Sequence, residues 1–178
     1  GLSLVTALDP ASPDIGWIRL DTTLLPGQSV QLTSPFKVKI PVTFSRMGRT
    51  RDAYQLTQWY PHIAVLDENG WNMMPYLDQG EFYNEFADYD VTMLVPKGYV
   101  IAATGDLISR EVEGSEMKWQ FKAENVIDFA WFASPHFELA TRMVTFPGGQ
   151  SVDLHVYIDT IYPQHWDQAM DHAERALK

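Results

Sequence analysis

Turn signals recur about every ten residues through most of this chain, a spacing that admits short strands and little else. Pro26-Gly27, Asp67-Glu68-Asn69-Gly70, Pro96-Lys97-Gly98, Glu113-Gly114-Ser115 and Pro147-Gly148-Gly149 separate segments rich in branched and aromatic residues. Strands are expected over 18–25, 29–41, 90–95, 99–104, 129–133, 137–146 and 151–158, with an apolar strand region over 54–66 broken at Pro61. Residues 107–113 and 116–126 read as a hairpin around Gly114. In Phe36-Lys37-Val38-Lys39-Ile40 apolar and basic residues alternate strictly, the pattern of a strand with one buried and one wet face. Residues 45–52 read as a loop, and 71–88, aromatic and acidic without a clean period, as a long ordered loop crossing a sheet. Roughly eight to ten strands so arranged predict an all-β sandwich or a pair of twisted sheets.

The tail departs from this pattern. Trp166, Ala169, Met170, Ala173 and Leu177 fall at i, i+3, i+4, i+7 and i+11, one face of a helix. Pro163 suits its first position. Asp171 with Arg175 and Glu174 with Lys178 stand four apart with the acid first, the supportive order. No glycine or other stop follows this helix, which predicts a chain that continues. The expected division is therefore a β domain over 1–160 and, over 161–178, the first helix of a following domain.

Charge and cysteine content remove several classes of function. Thirteen basic and twenty-three acidic residues leave a net charge of −10, unsuited to gripping a phosphate backbone. The five bases in 37–51 meet no acid there, and the seven acids in 67–90 meet no base. With no cysteine there is no disulfide, no thiolate zinc site and no thiol nucleophile. No apolar run reaches the roughly 20 residues that span a bilayer, so no transmembrane segment is expected. The first residues carry no signal-peptide pattern, and the missing Met at position 1 points to a leader already removed.

Complete catalytic sets are not visible. His62, His136, His155, His165 and His172 form no His-Glu-x-x-His pair. Ser134 and His136 share a strand face only if Pro135 permits a strand, and no acid near them in sequence orients the imidazole. Glu81 with Glu85, or Asp88 with Asp90, can serve as an acid–base pair only across a suitable cleft. Trp59, Tyr60, Trp71, Tyr76, Phe82, Tyr83, Phe86 and Tyr89 crowd into one stretch, as a core that pins a loop or as a platform for sugar rings.

A series of short motifs does carry a resemblance. It comprises Gln58-Trp59-Tyr60-Pro61, Ala64-Val65-Leu66-Asp67, Gly70-Trp71, Pro75-Tyr76, Gln79-Gly80-Glu81-Phe82-Tyr83 and Tyr89-Asp90-Val91. Val95-Pro96-Lys97-Gly98-Tyr99, Ala103-Thr104-Gly105, Val126-Ile127-Asp128-Phe129-Ala130-Trp131 and Ser134-Pro135 continue it. In order, these resemble the amino-terminal domain of zinc aminopeptidases of the aminopeptidase N and leukotriene-hydrolase type, in a branch typical of Bacteroidetes-like bacteria. The resemblance implies a saddle-like β domain that walls the active-site cleft and packs on its own downstream catalytic domain. It implies no catalytic residue, metal or cofactor in these 178 residues, with zinc, its ligands and the exopeptidase motif beyond them. It implies a peptide substrate and a periplasmic or secreted location. In that family the domain lends a Gln or Glu to the substrate's free amino group, and the matching stretch places Gln55 or Gln58 in that role. Two other readings stand beside it: a carbohydrate-binding sandwich using the aromatic and acidic loop, and an acid–base enzyme using Glu81 or Glu85.

Overall fold

The computed structural model describes residues 5–77, 79, 80 and 82–178. The fold is all-β with one C-terminal helix: among the described residues thirteen strands precede a single α-helix. They fall into two units, Gly1–Val38 with Tyr60–Glu85 and Lys39–Trp59 with Phe86–Lys178.

The first unit is built of two ribbons. β1 (Val5–Leu8) pairs antiparallel with β2 (Gly16–Arg19), and β5 (Val65–Asp67) with β6 (Gly70–Asn72). Asp67 shapes the second turn: its carboxylate accepts the Asn69 N–H at 2.7 Å. Hydrogen bonds from Asn72 and from the turn amides hold that carboxyl below the usual aspartate range. Val65 is the one buried hydrophobic residue of this unit among the described residues. Residues 29–41 form no strand despite their alternation. The reason is backbone pairing: a wet and a dry face do not make a strand unless a neighbour takes its N–H and C=O groups. Here Pro35 and Pro41 remove two donors, and the segment spans the passage from one unit to the other.

The second unit holds the core. β3 (Gly48–Thr50), β4 (Ala53–Leu56), β8 (Val100–Ala103) and β11 (Trp131–Ser134) form a sheet in the order β3-β4-β11-β8. β7 (Ala87–Pro96), β9 (Asp106–Glu113) and β10 (Glu116–Val126) form another in the order β7-β10-β9. β12 (Phe137–Thr145) and β13 (Ser151–Asp159) make a long hairpin, and α1 (Ala169–Leu177) packs on it. Leu56, Met93, Ile101, Trp119, Phe121, Ala123, Phe129, Ala133 and Val144 are buried. On β10 the alternation decides the faces: Trp119, Phe121 and Ala123 point inward, while Lys118, Gln120 and Lys122 meet Glu113 and Asp90 outside.

Three expectations shift. Residues 48–50, read as loop, are a short edge strand, because the bases of this stretch point outward while the backbone pairs with β4. Pro163 opens a 3₁₀ turn, Pro163–His165, and the α-helix begins only at Ala169, so Trp166 lies outside it. Trp71, Tyr76 and Tyr83 are 51%, 65% and 55% exposed, so these three aromatics are surface rather than core.

Candidate functional site

Gln55 lies in the middle of the four-stranded sheet, opposite Gly48 on one side and Phe132 on the other. Leu56 and Tyr54 take the alternate face, and Leu56 is buried there. The Gln55 amide is not free to turn: Nε2 donates to the Ser45 carbonyl at 2.7 Å. Two residues on, Thr57 Oγ1 donates to the Arg46 carbonyl at 3.0 Å. This pair of bonds straps the 45–46 backbone along the strand and leaves Oε1 as the Gln55 acceptor. Gln58 stands differently. β4 ends at Leu56, and Gln58 takes a left-handed conformation with φ 52° in the bend that follows, half-buried. The two glutamines therefore do not sit on one strand face as a matched pair.

Around Gln58 the resemblance motifs act on one another. Trp59 Nε1 donates to the Phe129 carbonyl at 3.0 Å, and its ring meets Trp131 edge-on at 6.3 Å. Phe129 is fully buried and lies 5.8 Å from the Tyr89 ring. Thr104 closes the other side: its N–H donates to the Ala130 carbonyl at 3.0 Å, and its Oγ1 accepts the Ala130 N–H at 3.1 Å. Gly105 follows with φ 82°, where any Cβ would stand 2.1 Å from the Lys122 carbonyl oxygen. Only glycine allows that approach.

A polar cluster that the sequence did not reveal lies at the end of the same sheet. His136 Nε2 is 3.0 Å from Asp52 Oδ2, across 84 positions of sequence. The acid missing near Ser134 and His136 is thus supplied by the β3–β4 turn. Ser134 is nonetheless no nucleophile: it is fully buried, and its Oγ accepts the His136 N–H at 3.0 Å. Tyr54 and Tyr99 lie beside this pair with ring centroids 6.2 Å apart. Burial, then Tyr54 and the Asp52 charge, push the Tyr99 phenol up, so it stays a neutral donor.

The proposed carboxylate pairs divide. Glu81 lies outside the described residues, and Glu85 is exposed. Asp88 Oδ1 accepts the N–H of Asn125 at 2.8 Å, where the β7–β10 register breaks and Asn125 has φ 53°. Asp90 accepts from Gln120 Nε2 at 2.9 Å and faces Lys122 Nζ at 3.3 Å. The Gln120 bond first, and then Lys122, hold Asp90 below the usual carboxylate range, so it is a poor proton donor near neutrality. Both aspartates serve the sheet.

Histidines are scattered. His62 lies against Tyr60 at 4.2 Å between ring centroids, and His172 Nε2 is 3.2 Å from Gln168 Oε1, while His155 is exposed on β13. Among the described residues no three of His, Asp and Glu gather where one metal ion would fit. No described helix is long and apolar enough to cross a membrane. Set against known proteins, the chain matches no family model, no curated protein and no solved structure.

Proposed function

We propose that this chain is the amino-terminal β domain of a zinc-dependent aminopeptidase, working beside a catalytic domain encoded further along the gene. In this reading it walls the cleft and receives the peptide's free amino group, while zinc supplies water activation elsewhere. It is a secreted or periplasmic protein whose partners are its own catalytic domain and a peptide. The observation that carries the reading is the Gln55 amide: with Nε2 fixed on the Ser45 carbonyl, Oε1 is left to accept from an ammonium. The net charge of −10 draws cationic peptide termini toward the surface. Gln58, in its left-handed bend, is the second candidate for the same contact.

Two measurements test this. Short peptides with free amino termini should shift the Gln55 side-chain amide resonances, whereas N-acetylated peptides should not. Gln55→Met should weaken the free-amine peptides about tenfold, or about 1.4 kcal/mol. Equal binding of both peptide forms would remove the recognition role. The coding sequence after Lys178 should also contain a His-Glu-x-x-His helix followed by a glutamate, and a continuation without one would remove the peptidase assignment.

A second reading has its own observation. Trp71, Tyr76 and Tyr83 present more than half their surface to solvent, as sugar-stacking residues do. A glycan titration that quenches or shifts tryptophan emission, and is abolished by Trp71→Ala, would favour carbohydrate binding over the peptidase role.

A further inference from the structure

We infer that β9 is a docking edge for a second copy of this chain, and that residues 37–40 of that copy add to it as an antiparallel strand. β9 ends the order β7-β10-β9, so one of its sides has no strand to take its N–H and C=O groups. Glu113 and Glu116 pair across a two-residue turn. In such hairpins this is the hydrogen-bonded kind of pair and alternate residues turn outward, so the outward backbone groups at this end of β9 belong to Val112 and Arg110. The side chains beside them fall into two patterns. Val112 is 64% exposed although it stands in register with Met117 and Val95, on the face that buries Trp119. Glu111 and Glu113 are exposed on the opposite face, where Lys118 Nζ stands 4.0 Å from Glu113.

The chain itself carries a matching segment. Residues 37–40 read Lys-Val-Lys-Ile and join no ladder, and Lys37, Val38 and Lys39 are exposed. If Val38 and Ile40 turn their backbone groups toward β9, the odd positions turn away, Pro35 and Pro41 among them, and their missing N–H groups cost nothing. One register then satisfies both faces: Val38 opposite Val112, Lys37 opposite Glu113 and Lys39 opposite Glu111. Opposite charges directly across strands are favourable. A slip by two residues either way leaves one lysine facing a serine, and a slip by one turns both lysines to the apolar face. In its own copy the segment leads to another edge. Arg49 N–H donates to the Pro41 carbonyl and Thr43 N–H to the Arg49 carbonyl, each at 2.9 Å, which ties 41–43 to β3. A second copy can receive the segment and give its own in return, the self-complementary arrangement of a twofold dimer. Two four-residue ladders make a small interface, so the association is weak and concentration-dependent.

Sedimentation over roughly 1 μM to 1 mM should show a monomer–dimer equilibrium. Lys37→Glu with Lys39→Glu should weaken it at least about tenfold, because each favourable pair becomes a repulsion. Glu111→Lys with Glu113→Lys should do the same, and an equimolar mixture of the two variants should dimerise again. The lack of cysteine allows a check on register. Opposite residues of such a pair have Cα atoms about 5.5 Å apart, within disulfide range. Val38→Cys and Val112→Cys chains, mixed and oxidised, should therefore yield a mixed disulfide dimer, whereas Val38→Cys with Leu94→Cys should not. A monomer at every concentration would overturn the docking, as would a dimer indifferent to the charge reversals or a mixture that stays monomeric. A disulfide formed within one chain when both cysteines are placed together, or one formed equally well with Leu94→Cys, would overturn it too. Should a charge variant fail to fold, the disulfide pair decides.

Discussion

At the scale of single residues, backbone geometry explains motif letters that composition cannot. Gly105 is the clearest case. Its positive φ costs an L-residue about 1 kcal/mol, and a Cβ would meet the Lys122 carbonyl oxygen at 2.1 Å, a backbone atom with nowhere to go. Gly105→Ala should lower stability by about 2 kcal/mol or more, read as a fall in the urea midpoint at unchanged slope. Gly114 offers the control: it also has positive φ, but its added Cβ meets nothing within 4 Å. Gly114→Ala should cost only the conformational part, about 1 kcal/mol. From sequence, Ala103-Thr104-Gly105 and Glu113-Gly114-Ser115 look like equivalent turn signals, because the difference lies in what a distant strand places against the glycine. The same limit hid Asp52. A carboxylate 84 positions from its imidazole leaves no local trace, and Ser134-Pro135-His136 by itself reads as a turn. Gln55 falls in a stretch expected as strand and lies in β4, but its fixed amide follows from Ser45, which only the fold brings alongside.

At the scale of elements, legibility followed backbone pairing. The β9–β10 hairpin was readable because alternation and its turn agree, and from Glu113–Glu116 to Ser109–Gln120 the cross-strand partners follow in the expected order, before a bulge at Ile108 shifts the register. Residues 36–40 alternate as clearly but join no strand ladder, and so do not become a strand. The helix was readable by its stripe but not by its start, since proline fixes φ for a 3₁₀ turn as readily as for an α-helix. Its docking was legible only in part. The Glu174–Lys178 pair was visible in sequence and forms at 2.6 Å, but Glu174 also binds Arg142 of β12 at 2.6 Å, and Asp171 binds the same guanidinium at 2.8 Å. The hydrogen bonds from Lys178 and then Arg142 hold Glu174 below its ordinary value of 4.5. A carboxyl depressed in the fold stabilises it above its unfolded value and loses that contribution as pH falls through the folded one. The helix should therefore stay docked at neutral pH and loosen below pH 4.5. Amide exchange, corrected for intrinsic rates, should show α1 protection dropping roughly fivefold over that descent, with the β9–β10 hairpin unchanged. Glu174→Gln should bring the same loss to neutral pH. Protection that does not move in either experiment would mean apolar contact, not the Arg142 network, holds the helix.

At the scale of the whole molecule, the two units differ in what they can sustain. Every ladder of the second unit closes within it: β3-β4-β11-β8, β7-β10-β9 and β12-β13 draw no strand from the first. Among the described residues nine of the ten buried hydrophobic side chains lie in it as well. The first unit has two isolated ribbons and Val65, and a two-stranded ribbon is marginal on its own in water. Yet sequence places them alternately, because the chain leaves the second unit after Trp59 and re-enters it at Phe86. Reading 54–66 as a strand region and 71–88 as a loop crossing a sheet does not reveal that 60–85 is an insertion. Replacing 60–85 by a flexible Gly/Ser linker and removing 1–38 should leave a protein that still unfolds cooperatively in urea. The cost of closing a loop grows only with the logarithm of its length, about 0.6 kcal/mol per doubling, so the linker itself decides little. Its near-ultraviolet signal should keep the contribution of the Trp59–Trp131 and Trp119–Phe121 contacts, which lie wholly inside the retained unit. The converse fragment, 1–38 joined to 60–85, should show neither cooperativity nor fixed aromatic signal. If the larger fragment is the one that melts without a transition, stability belongs to the joined chain, and the core around Phe129 cannot stand by itself.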